Sequence, residues 1–207
     1  MHRIVSGTIA LALVMPAFAA ATTTSATADP SAGLDDDGAH VWRAASAKGP
    51  RLVRPAKIGK AKVGMTVEEA MATGQFKQDV PNPPCDPIEL QPTKRYKTQY
   101  VVFVADGEIV EMNATGGDMA TPTGSRVYST YKRIKRDYGS ALSKPREVGF
   151  GQWGVYLHRG KKGANRKWLG FLFGESYVED GELGNNDIVT LLGVTKGKRP
   201  PLILDGC

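Results

Sequence analysis

Gly149-Phe150-Gly151-Gln152-Trp153-Gly154 has the G-x-G-x-x-G spacing with which backbone N–H groups cradle the phosphates of a dinucleotide or ATP. That chemistry requires a strand before the motif and a helix N-terminus after it. Here Val155-Tyr156-Leu157 predicts a strand, so a Gly-rich strand crossing or bulge is the expectation. A protein-kinase glycine loop does lie between strands, but the Lys and Asp signatures that accompany it are missing. Nucleophilic catalysis needs a base beside the nucleophile. His40 falls in a stretch without apolar pattern, His158 falls mid-strand, and no G-x-S-x-G is present. Glu175, Glu179, Asp180 and Glu182 cluster as glycoside-cleaving carboxylates would. Their Gly/Asn-rich setting predicts exposed groups with ordinary pKa values, so a hydrolase is only a minor alternative. Two Cys and three His are too few for a Cys/His zinc site, and Asp35-Asp36-Asp37 lacks the spaced oxygens of a calcium loop. No metal, cofactor or catalytic residue is expected.

Two basic runs offer a different chemistry. Lys132, Arg133, Lys135 and Arg136 lie on a predicted helix, and Lys198 and Arg199 follow a predicted strand. Together they make a candidate anion or partner surface, with Trp153 or Trp168 available for stacking. The plainer alternative for a charged helix is a solvated face.

The N-terminus carries an export signature. Met1-His2-Arg3 is a basic tip, Ile4 to Ala21 is an interrupted apolar run, and Ala26-Thr27-Ala28 is an A-x-A cleavage site before Asp29-Pro30. Residues 1–28 are therefore expected to be a signal peptide and the mature protein to be secreted. Ala17-Phe18-Ala19 is a second candidate site. No stretch of the mature form is long and apolar enough to span a bilayer. Loss of Arg3 takes the net charge from +6 to +5. A basic protein outside the cell meets anionic wall polymers sooner than cytosolic nucleic acid, and no nucleic-acid partner is expected.

The remaining chain divides into a leader without periodicity at 29–55 and a domain at 56–207. The domain shows one order of elements twice, over 56–118 and 119–207. Thr66 with Glu69 forms a capping box, and Gly74 provides the left-handed stop. Gln99 to Ala105 and Glu108 to Ala114 then flank an Asp106-Gly107 hairpin turn. Pairing Ala105 with Glu108 places Val101, Phe103, Val110 and Met112 on one face, the expected core, and leaves Tyr100, Glu111 and Asn113 on a wetter one. In the second half Thr130 caps a helix to Tyr138, with Ile134 and Tyr138 on its buried side and Gly139 as its stop. Strands are predicted at Gly154–His158, Trp168–Phe173 and Ile188–Val194. The class is α+β.

The ordered set Val63-Gly64-Met65-Thr66-Val67-Glu68-Glu69-Ala70, the Val102 to Ile109 hairpin, Thr121-Pro122-Thr123-Gly124 ahead of Tyr138-Gly139, and Asp205-Gly206-Cys207 resembles a largely uncharacterised family of small secreted actinobacterial proteins. The Gly-Met-Thr helix start is also similar to the repeats of β-lactamase inhibitory protein and of outer-membrane assembly lipoproteins. That resemblance implies two helix-on-antiparallel-sheet units and a non-catalytic role in binding other proteins. The second start departs from the pattern: Tyr128-Ser129-Thr130 replaces Gly-x-Thr, and Arg133 stands where the box acid belongs.

The expected function is therefore an exported, non-catalytic binding or inhibitory module for an extracellular protein. The alternative is an envelope-associated domain holding anionic cell-wall polymer. Export also places Cys85 and Cys207 in an oxidising compartment, where a single intramolecular disulfide is expected. Two free thiols or an intermolecular bond are the alternatives.

Overall fold

The computed structural model describes residues 52–78, 90–94, 96, 100–174 and 181–202. The signal segment, the carboxylates at 175, 179 and 180, and both cysteines lie outside the described residues. The described chain is α+β, with short helices and antiparallel sheets.

It opens with a small sheet of β1 (Val53–Arg54), β2 (Lys57–Ile58) and β3 (Ala61–Lys62). The boundary expected between residues 55 and 56 falls inside its first hairpin, where Val53 pairs with Ile58. Val53 is buried, and its N–H donates to the distant Ala120 carbonyl at 2.8 Å. Two apolar residues are too few to show a period, so only that long-range pairing marks the start of the fold.

Helix α1 (Val67–Ala72) starts where the capping box puts it. Glu69 N–H donates to Thr66 Oγ1 at 3.2 Å, and Thr66 N–H donates to Glu69 Oε2 at 3.1 Å. Strands β4 (Phe76–Gln78) and β5 (Leu90–Pro92) pair with each other, and β5 lies against β6 (Tyr100–Ala105). Strand β7 (Glu108–Ala114) returns from β6 through Asp106-Gly107, both at positive φ. Helix α2 (Tyr131–Tyr138) is capped by Thr130, whose Oγ1 accepts from Arg133 N–H at 3.3 Å. A 3-10 turn and β8 (Arg146–Gly149), β9 (Gln152–Arg159), β10 (Lys167–Phe173) and β11 (Val189–Lys196) follow.

Six of these strands form one antiparallel sheet in the order β6-β7-β11-β10-β9-β8. One face carries the main core, in which Leu169, Phe171, Phe173, Leu192 and Val194 meet Ala70, Tyr131 and Ile134 of the helices. Tyr131 packs edge-on to Phe173, and Tyr138 tilts against Phe171, as expected for the buried side of α2. The opposite face holds a smaller cluster of Tyr156, Trp168, Leu172, Leu191 and Leu202.

The β6–β7 hairpin corrects the expected facing. Ala105 does pair with Glu108, but the register shifts between Phe103 and Val104, and Val110 is the extra residue of a bulge. Val102, Ile109 and Met112 are buried, whereas Val101, Phe103 and Val110 are 39, 46 and 42% exposed. Asn113, expected to be wet, is buried.

The two halves enter the sheet through matching bonds. Gly64 N–H donates to Ile109 O, and Ile109 N–H donates to Met65 O; Tyr128 N–H donates to Val189 O, and Val189 N–H donates to Ser129 O. Thr66 bridges Glu108 as Thr130 bridges Ile188. Strands β7 and β11 then meet each other through Leu192 with Ala114, Gly193 with Asn113, and Val194 with Met112.

Candidate anion-binding end of the sheet

The six cations expected to form one surface divide between the two faces of the sheet. Helix α2 sits on the main-core face, and three of its cations are engaged locally. Arg133 Nε and Arg136 Nε both reach the Asp137 carboxylate, at 3.5 and 3.4 Å. Lys135 Nζ donates to Asn185 Oδ1 and lies 4.6 Å from the Tyr131 ring centre. Asp137 also accepts from Ser125 Oγ at 2.8 Å, so this carboxylate ties the Thr121–Ser125 loop to the helix. Arg199 belongs to the other face, over the rings of Tyr156 and Trp168.

The richest unpaired charge lies elsewhere, at the end of the sheet made by the β9–β10 connection and the exit of β11. Arg159, Lys167 and Lys196 stand directly in register across β9, β10 and β11, and all three are exposed. Like charges opposite one another in a sheet repel. Lys161 and Lys162 add exposed charge in the connection, and Lys198 and Arg199 add it just past β11. Residues 159–174 and 188–202 contain no Asp or Glu. Among the described residues, none of Arg159, Lys161, Lys162, Lys167, Lys196 and Lys198 forms an ion pair. The carboxylates of this end lie across β11 on the β6–β7 hairpin: Glu111, which pairs with Thr195, and Asp106 and Glu108 at the turn.

Trp168 is the platform beneath this end. Its Nε1–H donates to Gly197 O at 3.0 Å, which ties β10 to the turn after β11. Arg166 lies 5.4 Å from its ring centre, Arg199 at 5.5 Å, and the His158 ring at 5.2 Å. The Arg166 Nε is buried and lacks an acceptor. Tyr156 completes the stack, with Arg199 4.7 Å from its ring centre. Burial pushes the Tyr156 phenol up, and Arg199 and Arg146 partly oppose that shift. Trp153, the other expected platform, sits at the opposite end of β9 and donates to Gly181 O.

The sequence singled out Lys198, Arg199 and Trp168 of this end, with Lys196 in the same basic run, but passed over Arg159, Lys167 and the alignment of Arg159, Lys167 and Lys196. These three are far apart in the chain, and only the strand register aligns them. The G-x-G-x-x-G segment is the β8–β9 turn, with Gly149, Phe150 and Gly151 at positive φ, and it runs into strand β9. No helix N-terminus follows it. His158 is exposed beside Trp168, and Glu182 is exposed on its own loop.

No family model matches the chain, and no curated protein matches it. The chain is similar to a solved structure titled as the uncharacterized protein YfeY from Escherichia coli, at 12% identity and a TM-score of 0.45, over 70% of this chain and 99% of that one.

Proposed function

We propose that this protein is an exported, non-catalytic module that binds an anionic polymer of the cell envelope at the cation-rich end of its sheet. The observation that carries this reading is the in-register row Arg159–Lys167–Lys196, three exposed cations kept side by side with no carboxylate among them. A protein keeps such a row at a cost in repulsion, and a polyanion spanning the strands relieves it. The buried Arg166 Nε, which lacks an acceptor, adds a donor to the same end. Export rests on the N-terminal signature.

Within this reading the scaffold consists of two similar helix-on-sheet units. The matching bonds of Gly64 and Tyr128 to β7 and β11 support that arrangement, as do the equivalent caps at Thr66 and Thr130.

Retention of the mature chain on immobilised poly(glycerol phosphate) tests the reading. Binding is expected at low salt and should be lost steeply as the Debye length shrinks. Lys167→Gln with Lys196→Gln should weaken it by roughly thirtyfold, on the scale of about 1 kcal/mol per exposed charge contact. Lys132→Gln on α2 should change it little. Binding that survives high salt, or that the double substitution leaves intact, overturns the proposal. Capture of an acidic protein without any retention on the polymer would assign the surface to a protein partner instead.

A further inference from the structure

Gly154, the last glycine of the G-x-G-x-x-G segment, lies inside β9 and does not use a positive φ. Close approach explains it instead. A Cβ there would stand 2.7 Å from Tyr156 Oη and 3.0 Å from Val148 Cγ1. The missing side chain leaves the space that the end of the Tyr156 phenol fills. Tyr156 is 3% exposed, yet its hydroxyl makes no hydrogen bond among the described residues. A buried tyrosine hydroxyl ordinarily has a partner. Unlike Asn113 Oδ1, Gln152 Nε2 and Arg166 Nε, this oxygen is not sealed from solvent, so a small ligand can reach it.

Two arginines flank the phenol. The guanidinium carbon of Arg199 lies 4.7 Å from the ring centre. Arg146 pairs with Gly154 across β8 and β9, so its side chain rises beside the hydroxyl on the same face. Both arginines are exposed, and neither forms an ion pair among the described residues. The adjacent carboxylate, Glu147, pairs with Trp153 and so faces the other side of the sheet. The phenol, its pKa pushed up by burial, stays protonated at neutral pH and remains a donor.

We infer that Tyr156 Oη–H, Arg146 and Arg199 hold a single phosphate group on the face turned away from the helices. The three donors come from three elements: β9, β8 and the turn after β11. A phosphate has oxygens enough for all three, and guanidinium forks match it bidentately, whereas a carboxylate offers only two oxygens. The site is separate from the in-register row of Arg159, Lys167 and Lys196 and does not rest on reading that row as a polymer site. Arg199 borders both.

NMR titration of the protein with inorganic phosphate in place of chloride, at constant ionic strength, tests the site. The Nε–H signals of Arg146 and Arg199 and the ring signals of Tyr156 should shift together and saturate. Tyr156→Phe keeps the ring under Arg199 and removes only the hydroxyl. It should weaken binding by roughly tenfold or more, the worth of one hydrogen bond to a charged group. Arg146→Gln, at an exposed position, should weaken it on the same scale. Shifts that never saturate, or unchanged affinity in either variant, overturn the inference. Lys167→Gln with Lys196→Gln should leave the shifts in place; their loss in that variant would assign the phosphate to the cation row and also overturn it. Dimethyl phosphate binding as tightly as inorganic phosphate would identify a linking diester as the occupant, and its exclusion a terminal or free phosphate. Either of those results supports the site.

Discussion

Tyr128 holds a left-handed backbone, φ 71°, in the place that Gly64 fills with φ 87°. Each is two residues before a capping threonine, and each donates its N–H to the sheet, Gly64 to Ile109 and Tyr128 to Val189. The geometry demands positive φ, which glycine adopts freely and tyrosine does not. Tyr128 gains little from burial in return, since the residue is 66% exposed.

Tyr128→Gly should therefore stabilise the protein by about 1 kcal/mol, somewhat less if the freer unfolded chain offsets the relief. Gly64→Tyr should destabilise it by a similar amount. Urea midpoints at unchanged m-value check both. If Tyr128→Gly lowers the midpoint, the φ strain is not the governing effect.

How far the sequence reaches is clearest in the β6–β7 hairpin. Its turn and both strands follow from Asp-Gly between apolar runs, and β7 spans the residues expected. Its facing did not follow, for a physical reason. Residues Val101 to Ala105 are all apolar, so a period of two does not say which side is core. Strict alternation forced a choice between burying Met112 or Glu111, and that choice put Val101 and Phe103 inside. The bulge at Val110 removes the conflict, because Glu111 turns to the opposite, half-buried face while Met112 turns into the main core. The candidate site shows the same limit: Lys198, Arg199 and Trp168 are visible as a local run, but the alignment of Arg159, Lys167 and Lys196 exists only in the register. The cations of helix α2 were expected to share that surface, yet Asp137, Asn185 and Tyr131 occupy three of its charges.

Gly193 and Leu202 should behave as a coupled pair. Gly193→Ala places a methyl against Leu202 and Asn113 at distances real Cβ atoms do not show, so Leu202, on the strap of chain after β11, must shift. The expected cost is roughly 1–3 kcal/mol. Leu202→Ala alone should cost about 2–4 kcal/mol for a fully buried leucine. Because the alanine at 202 removes the shortest of these contacts, the double variant should be more stable than the sum of the two losses predicts. Additive losses in thermal or urea unfolding would show that the strap does not rest on Gly193.

Glu111 should make stability fall as pH rises above the ordinary carboxylate range. Burial raises its pKa, and the hydrogen bond from Asn113 Nδ2 at 2.8 Å opposes the rise in part. Between the ordinary value and the raised one, the folded state holds the proton more tightly than the unfolded state does, so deprotonation works against folding there. Glu111→Gln keeps an acceptor for Asn113 and has nothing to ionise. The variant should be more stable than the parent at pH 7, and the difference should vanish below about pH 4, where both unfolded and folded Glu111 are protonated. A parent and variant that run parallel across this range would contradict it.

If the proposed export holds, Cys85 and Cys207 should form one intramolecular disulfide, each thiol losing one hydrogen to an external disulfide or to oxygen. The described neighbours set the reach. Leu202 lies on β11, five residues before Cys207, and Leu90 begins β5, five residues after Cys85. Five extended residues span at most about 17 Å. Closing a loop of about 120 residues stabilises by roughly 4–5 kcal/mol in the chain-entropy picture, and measured values usually fall short of it. Intact mass should be about 2 Da below that of the reduced chain, and reductant should restore the difference and lower the urea midpoint. The Cys207→Ser variant should match the reduced parent in stability. A monomer with two thiols open to alkylation without reductant, or a disulfide found only in dimers, would refute the pairing.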